Sequence, residues 1–149
     1  MTLTELFRYE IVQTEDVEMP GTGAGDLLLS PTSGGWFEGE RLRGKLLPLG
    51  MGTCLTRGEE NDIESQILLR TDDGENILMT TSAWFDVPQE IEDRLIAGEP
   101  VDPGAYYYKG TVAFQTGSPA YKWLERKVCV CECTVHDYTR LTFTVYMIQ

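Results

Sequence analysis

A chain of 149 residues is long enough for one hydrophobic core of useful size. Its 24 acidic against 12 basic side chains give a net charge of -12, which argues against nucleic acid and anionic membrane as partners, because phosphate recognition needs a basic surface. The segment Met1 to Arg8 lacks a basic stretch leading into an apolar one, and no run approaches the length of a membrane span, so a cytoplasmic location is the expectation.

Strand patterns dominate the chain. Leu6 to Thr14 reads as the first. Pro20 to Gly25 reads as a glycine-rich loop, and Asp26 to Ser30 as the next strand. After Gly34-Gly35, Trp36 to Pro48 reads as one long or bent strand with Gly39 and Gly44 as bulge points. Met51 to Thr56 follows, then an acidic turn from Arg57 to Asp62. Ile63 to Arg70 and Ile77 to Phe85 meet at Thr71-Asp72-Asp73-Gly74, where Asp-Gly supplies the positive φ of a tight hairpin. Pro88 to Gly98 reads as a helix, with proline at its start, acids in its first turns and glycine at its end. Tyr106 to Thr116 is again a strand. Ser118 to Leu124 reads as a short helical turn with Ser118 as N-cap and Pro119 at the first helical position. Lys127 to Val135 and Arg140 to Ile148 close the series, joined by His136-Asp137-Tyr138-Thr139. About nine short strands at this spacing describe a barrel or sandwich. The expected fold is mainly β: a single antiparallel β-barrel domain spanning residues 1–149, with one or two short helices.

Several catalytic signatures are missing from this sequence. There is no Gly-x-Ser-x-Gly, no phosphate loop, no dinucleotide fingerprint and no His-Glu-x-x-His. The single histidine, His136, falls in a turn. Cys129, Cys131 and Cys133 alternate on one strand face, with Cα atoms about 6.5–7 Å apart, at or beyond disulfide reach, and their spacing is not that of a zinc site. They read as small apolar side chains lining a core or pocket, with Cys131 a candidate for the pocket wall. No metal and no cofactor are expected. What remains is acids and aromatics on strands. Glu64 and Gln66 share one face of their strand, opposite Ile67 and Leu69; they face solvent if the apolar set faces the core, and a pocket if the strand lines one. Tyr106-Tyr107-Tyr108-Lys109 carries the same ambiguity, and Glu38 lies between Phe37 and Gly39. Trp84 and Trp123 are core or rim, or the wall of a ligand site.

The same residues carry a family resemblance. Thr32-Ser33-Gly34-Gly35-Trp36-Phe37-Glu38-Gly39-Glu40-Arg41-Leu42-Arg43-Gly44 resembles a "T-G-G-x-F-E-G-P-x-L-x-G" signature. Leu69-Arg70-Thr71-Asp72-Asp73-Gly74 is similar to "L-R-T-D-D-G". Gly98-Glu99-Pro100-Val101-Asp102-Pro103 with Tyr107-Tyr108-Lys109 resembles "G-E-P-V-D-P…Y-Y-F-R". Phe114-Gln115-Thr116-Gly117 with Tyr121, Trp123 and Leu124 resembles "F-E-T-G…Y-x-W-L-N". In order and over nearly the whole chain, these resemble the domain of unknown function 3237 family. The resemblance implies a closed or nearly closed antiparallel barrel with a central cavity, and it brings no assigned reaction. The chain departs from the family pattern in its polar residues: Gly50-Met51-Gly52-Thr53-Cys54 replaces "G-G-A-D-W", Glu64 and Gln66 stand for an Asp and an Arg, Lys109 for an Arg, Gln115 for a Glu and Glu125 for an Asn.

The functional expectation is a small-molecule-binding barrel. It would be a cofactor-free isomerase, cyclase or lyase acting on an apolar, carbonyl-bearing metabolite of specialised metabolism, by analogy with small β-barrel cyclases. Glu64 or Glu38 would be the base, Tyr108 or Lys109 the proton donor or carbonyl polariser, and Gln66, Trp84, Tyr107, Trp123 and Cys131 would line the site. Glu64 is expected to point into an open cavity together with Gln66 and at least one of Tyr107, Tyr108 and Lys109. The alternatives are a non-catalytic carrier or sensor of an apolar metabolite and an accessory protein whose barrel is filled. The expected partner is a small molecule, with no nucleic acid and no membrane; homo-oligomerisation is left open. Gly74→Val is expected to destabilise the protein by about 1 kcal/mol or more through left-handed backbone strain. An unchanged melting midpoint would count against the hairpin turn.

Overall fold

The computed structural model describes residues 1–12 and 15–149. Ten strands form one antiparallel sheet: β1 (Leu3–Val12), β2 (Val17–Thr22), β3 (Gly25–Pro31), β4 (Gly34–Glu38), β5 (Arg43–Arg57), β6 (Glu60–Thr71), β7 (Asn76–Asp86), β8 (Tyr107–Gln115), β9 (Cys129–Asp137) and β10 (Arg140–Ile148). The neighbour order runs β5-β4-β1-β10-β9-β8-β7-β6, and β6 pairs back onto β5. That last pairing closes eight strands into a barrel and removes their sheet edges. The expected barrel is therefore the observed one.

The two remaining strands extend a hairpin beyond the barrel wall. Val12 pairs with Gly34, and Val17 with Leu29, so the β2–β3 pair keeps the same register as the β1–β4 pair. β5 spans both halves, pairing with β4 through Lys45 and with β3 from Met51 to Thr56. β2 is the free edge. Pro20 lies within it, as an edge strand allows, since its missing N–H breaks no ladder bond. For that reason the loop expected at Pro20 to Gly25 is in fact strand up to Thr22.

Other boundaries also move. The strand expected from Trp36 to Pro48 is broken by a turn at Gly39–Leu42, where the Gly39 N–H donates to the Leu42 carbonyl at 2.9 Å. Its second half joins Met51 to Thr56 in β5, and the register shift falls between Leu46 and Gly50. β1 begins at Leu3, and Thr14, where the first strand was expected to end, lies outside the described residues. The helix α1 (Gln89–Ile96) is where its start and stop signals put it, one residue after Pro88. Ser118 caps no helix: the turn is a 3-10 segment further on, at Lys122–Arg126, and a second 3-10 turn occupies Pro103–Ala105. Asp73-Gly74 does form a tight turn, with the Gly74 N–H donating to the Thr71 carbonyl at 2.9 Å and Gly74 at φ 89°.

Period-two alternation sorts side chains between the two faces of the wall. In β6 the inward set is Asn61, Ile63, Ser65, Ile67, Leu69 and Thr71; in β7 it is Ile77, Met79, Thr81, Ala83 and Phe85. The two ends of the barrel differ. At the end carrying the Asp73-Gly74 turn, Phe7 meets Phe37 edge-on at 5.5 Å and Phe114 at 6.0 Å, with Ile67, Leu69, Ile77 and Leu124 fully buried around them. Each such ring contact is worth about 0.5–1.5 kcal/mol beyond its buried area. Halfway up, Tyr9 and Phe143 stack at 4.7 Å and 3°. The opposite end, where α1 and the β9–β10 turn lie, is not filled. Gly44 shows how tightly the wall itself is built: a Cβ there would lie 2.0 Å from the Arg70 carbonyl oxygen. Gly44→Ala is expected to cost about 1–3 kcal/mol by forcing β5 and β6 apart. Gly117→Ala, with nothing within 4 Å, is expected to leave the melting midpoint unchanged. Equal midpoints for the two variants would contradict this packing.

Candidate functional site

A cavity of about 410 Å³ opens at the unfilled mouth. That is within the range of small-molecule sites, about 300–1,000 Å³. Inward positions of four strands form its walls: Cys54 and Thr56 of β5, Asn61 and Ile63 of β6, Phe85 of β7, and Tyr108 of β8. Leu141 of β10 and Tyr138 of the β9–β10 turn complete one side, and Leu28 and Ser30 of β3 the other. Glu92 and Ile96 of α1 lie over the opening, and Asp16 and Glu18 stand at its rim. Two other concavities, of about 770 and 570 Å³, lie on the outer surface. The larger is a groove between the β5–β6 turn and the Pro103–Ala105 turn, and the smaller is lined by Trp84, Tyr107, Lys109, Glu132 and Tyr146.

Tyr108 is the central polar group of the mouth. Its ring stacks on Phe85 at 4.5 Å and meets Phe143 edge-on at 5.6 Å, so its direction is fixed. The residue is 7% exposed, and its hydroxyl makes no hydrogen bond to any described residue. Burial pushes its phenol well above the ordinary tyrosine range, with the cysteines and Tyr9 adding to the shift. It therefore stays protonated across the neutral and mildly alkaline range, and its hydroxyl is available to donate to a group in the cavity. The wall beside it is rigid. Thr56 Oγ1 donates to Asn61 Oδ1 at 2.6 Å, the Cys54 thiol donates to the same oxygen at 3.6 Å, and Asn61 Nδ2 donates to the Phe85 carbonyl at 2.9 Å. At the mouth, the Tyr138 hydroxyl donates to the Glu92 carboxylate, tying the β9–β10 turn to α1. Burial, and then that bond, hold the Tyr138 phenol protonated. Just below, the Val135 N–H donates to the Tyr106 hydroxyl at 2.7 Å, satisfying a buried donor beyond the end of the β8–β9 ladder.

Of the side chains singled out from sequence, Tyr108 alone faces this cavity. The expectation that Glu64 and Gln66 point inward is corrected: both are exposed on the outer wall, because they have the opposite parity to Ile67 and Leu69. Glu64 accepts a hydrogen bond there from Ser82 at 2.8 Å. Lys109, paired with Glu132 at 3.2 Å, and Tyr107 are exterior by the same rule, flanking inward Tyr108. Trp84 is 65% exposed on the outer face of β7. Glu38 is exposed on β4, in register with Arg8 and Arg43. Trp123 packs at the filled end under the Arg41 guanidinium, 3.8 Å from its ring. Cys131 points inward but lies in the core below the cavity. Glu92, Tyr138 and Asn61 were missed. Asn61 had a readable signal, a polar residue at the parity of the apolar face. Glu92 and Tyr138 meet only through the fold, 46 residues apart.

The comparisons with known proteins agree with this architecture. The family model described as "Protein of unknown function (DUF3237)" matches residues 1–148. A UPF0311 protein of Clostridium acetobutylicum is 34% identical over 104 residues, covering 69% of this chain and 66% of that protein, just under two thirds of its length. One from Rhodopseudomonas palustris is 32% identical over 115 residues, covering 76% and 75%. Among solved structures, a conserved protein of unknown function from Rhodopseudomonas palustris superposes with a TM-score of 0.90 at 26% identity, over 99% of this chain and 97% of the other. A β-barrel-like protein from Acinetobacter baumannii gives 0.84 at 29%, over 99% and 96%. An enzyme from Penicillium herquei gives 0.73 at 19%, over 99% and 94%, a likeness of fold alone.

All four cysteines are free thiols; the three on β9 are buried and Cys54 is half-buried in the cavity wall. Burial pushes Cys131 up to about 12 and raises the other three as well. Since the thiolate is the reacting form, alkylation of the native protein at neutral pH is expected to be slow at Cys129, Cys131 and Cys133. Any early label should map to Cys54, and denaturant should expose all four. Rapid native labelling of the β9 cysteines would contradict the inward register of that strand. By full length, motif and fold, the chain belongs to the DUF3237 family.

Proposed function

We propose that the barrel binds a small carbonyl-bearing molecule in its mouth cavity and acts on it by cofactor-free acid–base chemistry, as an isomerase, cyclase or lyase. The observation that carries this reading is the Tyr108 hydroxyl, a nine-tenths buried donor with no described partner, facing a ligand-sized space. A carbonyl oxygen of the ligand would accept from it and be polarised. Glu92, held by the Tyr138 hydroxyl that donates to it, would stabilise positive charge on the part of the ligand away from that carbonyl. Phe85, Ile63 and Leu141 exclude water and hold the apolar body. Glu64 and Lys109 have no part in this chemistry, because they lie on the other side of the wall.

A carrier needs at most one titratable group in its cavity. This cavity has Tyr108, Glu92, Tyr138 and Cys54, which favours catalysis over carriage. A side-chain-filled barrel describes one end of the molecule and not the mouth.

The test is incubation of the protein with a small-molecule extract of its source, followed by mass spectrometry. An isomerase or cyclase consumes one compound and returns another of equal mass; a lyase returns fragments. Tyr108→Phe and Glu92→Gln are each expected to lower that rate by roughly 10²–10⁴-fold while the protein stays folded. Glu64→Gln is expected to leave the rate unchanged. Turnover that survives Tyr108→Phe and is lost in Glu64→Gln would overturn the assignment, and a compound retained without change would favour a carrier.

A further inference from the structure

Resting on the mouth cavity as the ligand site, we infer that it is built for a cation: an aromatic ketone carrying a protonated amine, with the ketone at Tyr108 and the amine at Glu92. Three observations converge on this. First, among the described residues no lysine, arginine or histidine lines the cavity, whereas Glu92, Asp16 and Glu18 do. The nearby cations are already committed elsewhere: Arg94 of α1 to Glu99 at 3.1 Å, Arg57 to Asp62 at 2.6 Å, and Arg140 to Glu10 at 2.9 Å. Second, Glu92 is half-buried and forms no ion pair with a described residue. Tyr138 donates to its Oε2, and no described group donates to its Oε1. Third, the Tyr108 hydroxyl at the deeper end lacks an acceptor, so the two ends of the cavity ask for opposite groups, an acceptor below and a donor above.

In a chain with twice as many acids as bases, unpaired surface acids are ordinary. These differ in sharing one partly desolvated space with the side chains of Phe85, Tyr108 and Tyr138. A cation gains there from the carboxylate, whose attraction is less screened than at the open surface. A carboxylate or phosphate ester would meet like charge with no basic side chain to offset it. The net charge of -12 biases encounter in the same direction.

The test is calorimetric titration of the intact protein with three acetophenones of one shape: para-aminomethyl (cationic), para-methyl (neutral) and para-carboxylate (anionic). The amine should bind about ten-fold or more tightly than the neutral ketone, and the acid more weakly than either. Glu92→Gln should bring the amine close to the neutral ketone, and added salt should narrow the gap in the native protein. Tyr108→Phe should weaken all three alike, since each presents the same carbonyl. Equal binding of the three ketones, or an amine preference untouched by Glu92→Gln, would overturn the charge preference and leave the cavity standing. Failure of all three to bind, or binding indifferent to Tyr108→Phe, would instead overturn the cavity as the ligand site.

Discussion

Pairing of β5 with β6 is the constraint on which the rest depends. It joins the two ends of an eight-stranded sheet, from Gly44 opposite Thr71 to Arg57 opposite Glu60. Once the ring is closed, alternation decides every side chain's address, inside or outside, without regard to chemistry. β5 also reaches past the ring to hold the β2–β3 ribbon, so the strand that closes the barrel also builds one side of its mouth. The glycines in β5 make this possible, because at Gly44 and Gly50 carbonyls of β6 come closer than a Cβ would tolerate.

Filling is unequal along the axis. The rings of Phe7, Phe37 and Phe114 occupy the end under the Lys122–Arg126 turn, and Tyr9 with Phe143 blocks the middle. Above them, β5 and β6 turn no ring inward: their residues there are Cys54, Thr56, Asn61 and Ile63. Volume is thereby left at the mouth, and the mouth is also where the fold delivers its unpaired donor and its half-buried acid. Stability is concentrated at one end and the candidate chemistry at the other.

The architecture was legible because its signals are local. Turn dipeptides such as Asp73-Gly74, alternating runs and the proline-to-glycine frame of α1 act over a few residues. Two glycines misled: Gly39 and Gly44 suggested bulges, where Gly39 begins a turn and Gly44 lets β5 and β6 pack closely. The site was poorly legible for two reasons. The parity of Glu64 was open to either face in the sequence, and closure of the ring with Ile67 and Leu69 inward settled it outward. The Glu92–Tyr138 contact joins a helix to a distant turn, and nothing in either segment announces the other. Tyr108 was legible as one of three adjacent candidates, and only the barrel separates it from Tyr107 and Lys109.

The central claim is that the Tyr108 hydroxyl donates to a ligand inside the mouth. It is tested most directly by NMR of protein labelled at the tyrosine ring carbon that bears oxygen, with signals assigned by single Tyr→Phe variants. On titration with a neutral aromatic ketone such as 1-tetralone, the Tyr108 signal should shift and saturate, while Tyr146, bonded to Glu132 on the outer wall at 2.9 Å, should stay in place. A saturating shift at Tyr107 or Tyr146 with Tyr108 unmoved would place the ligand on the outer wall and contradict the account.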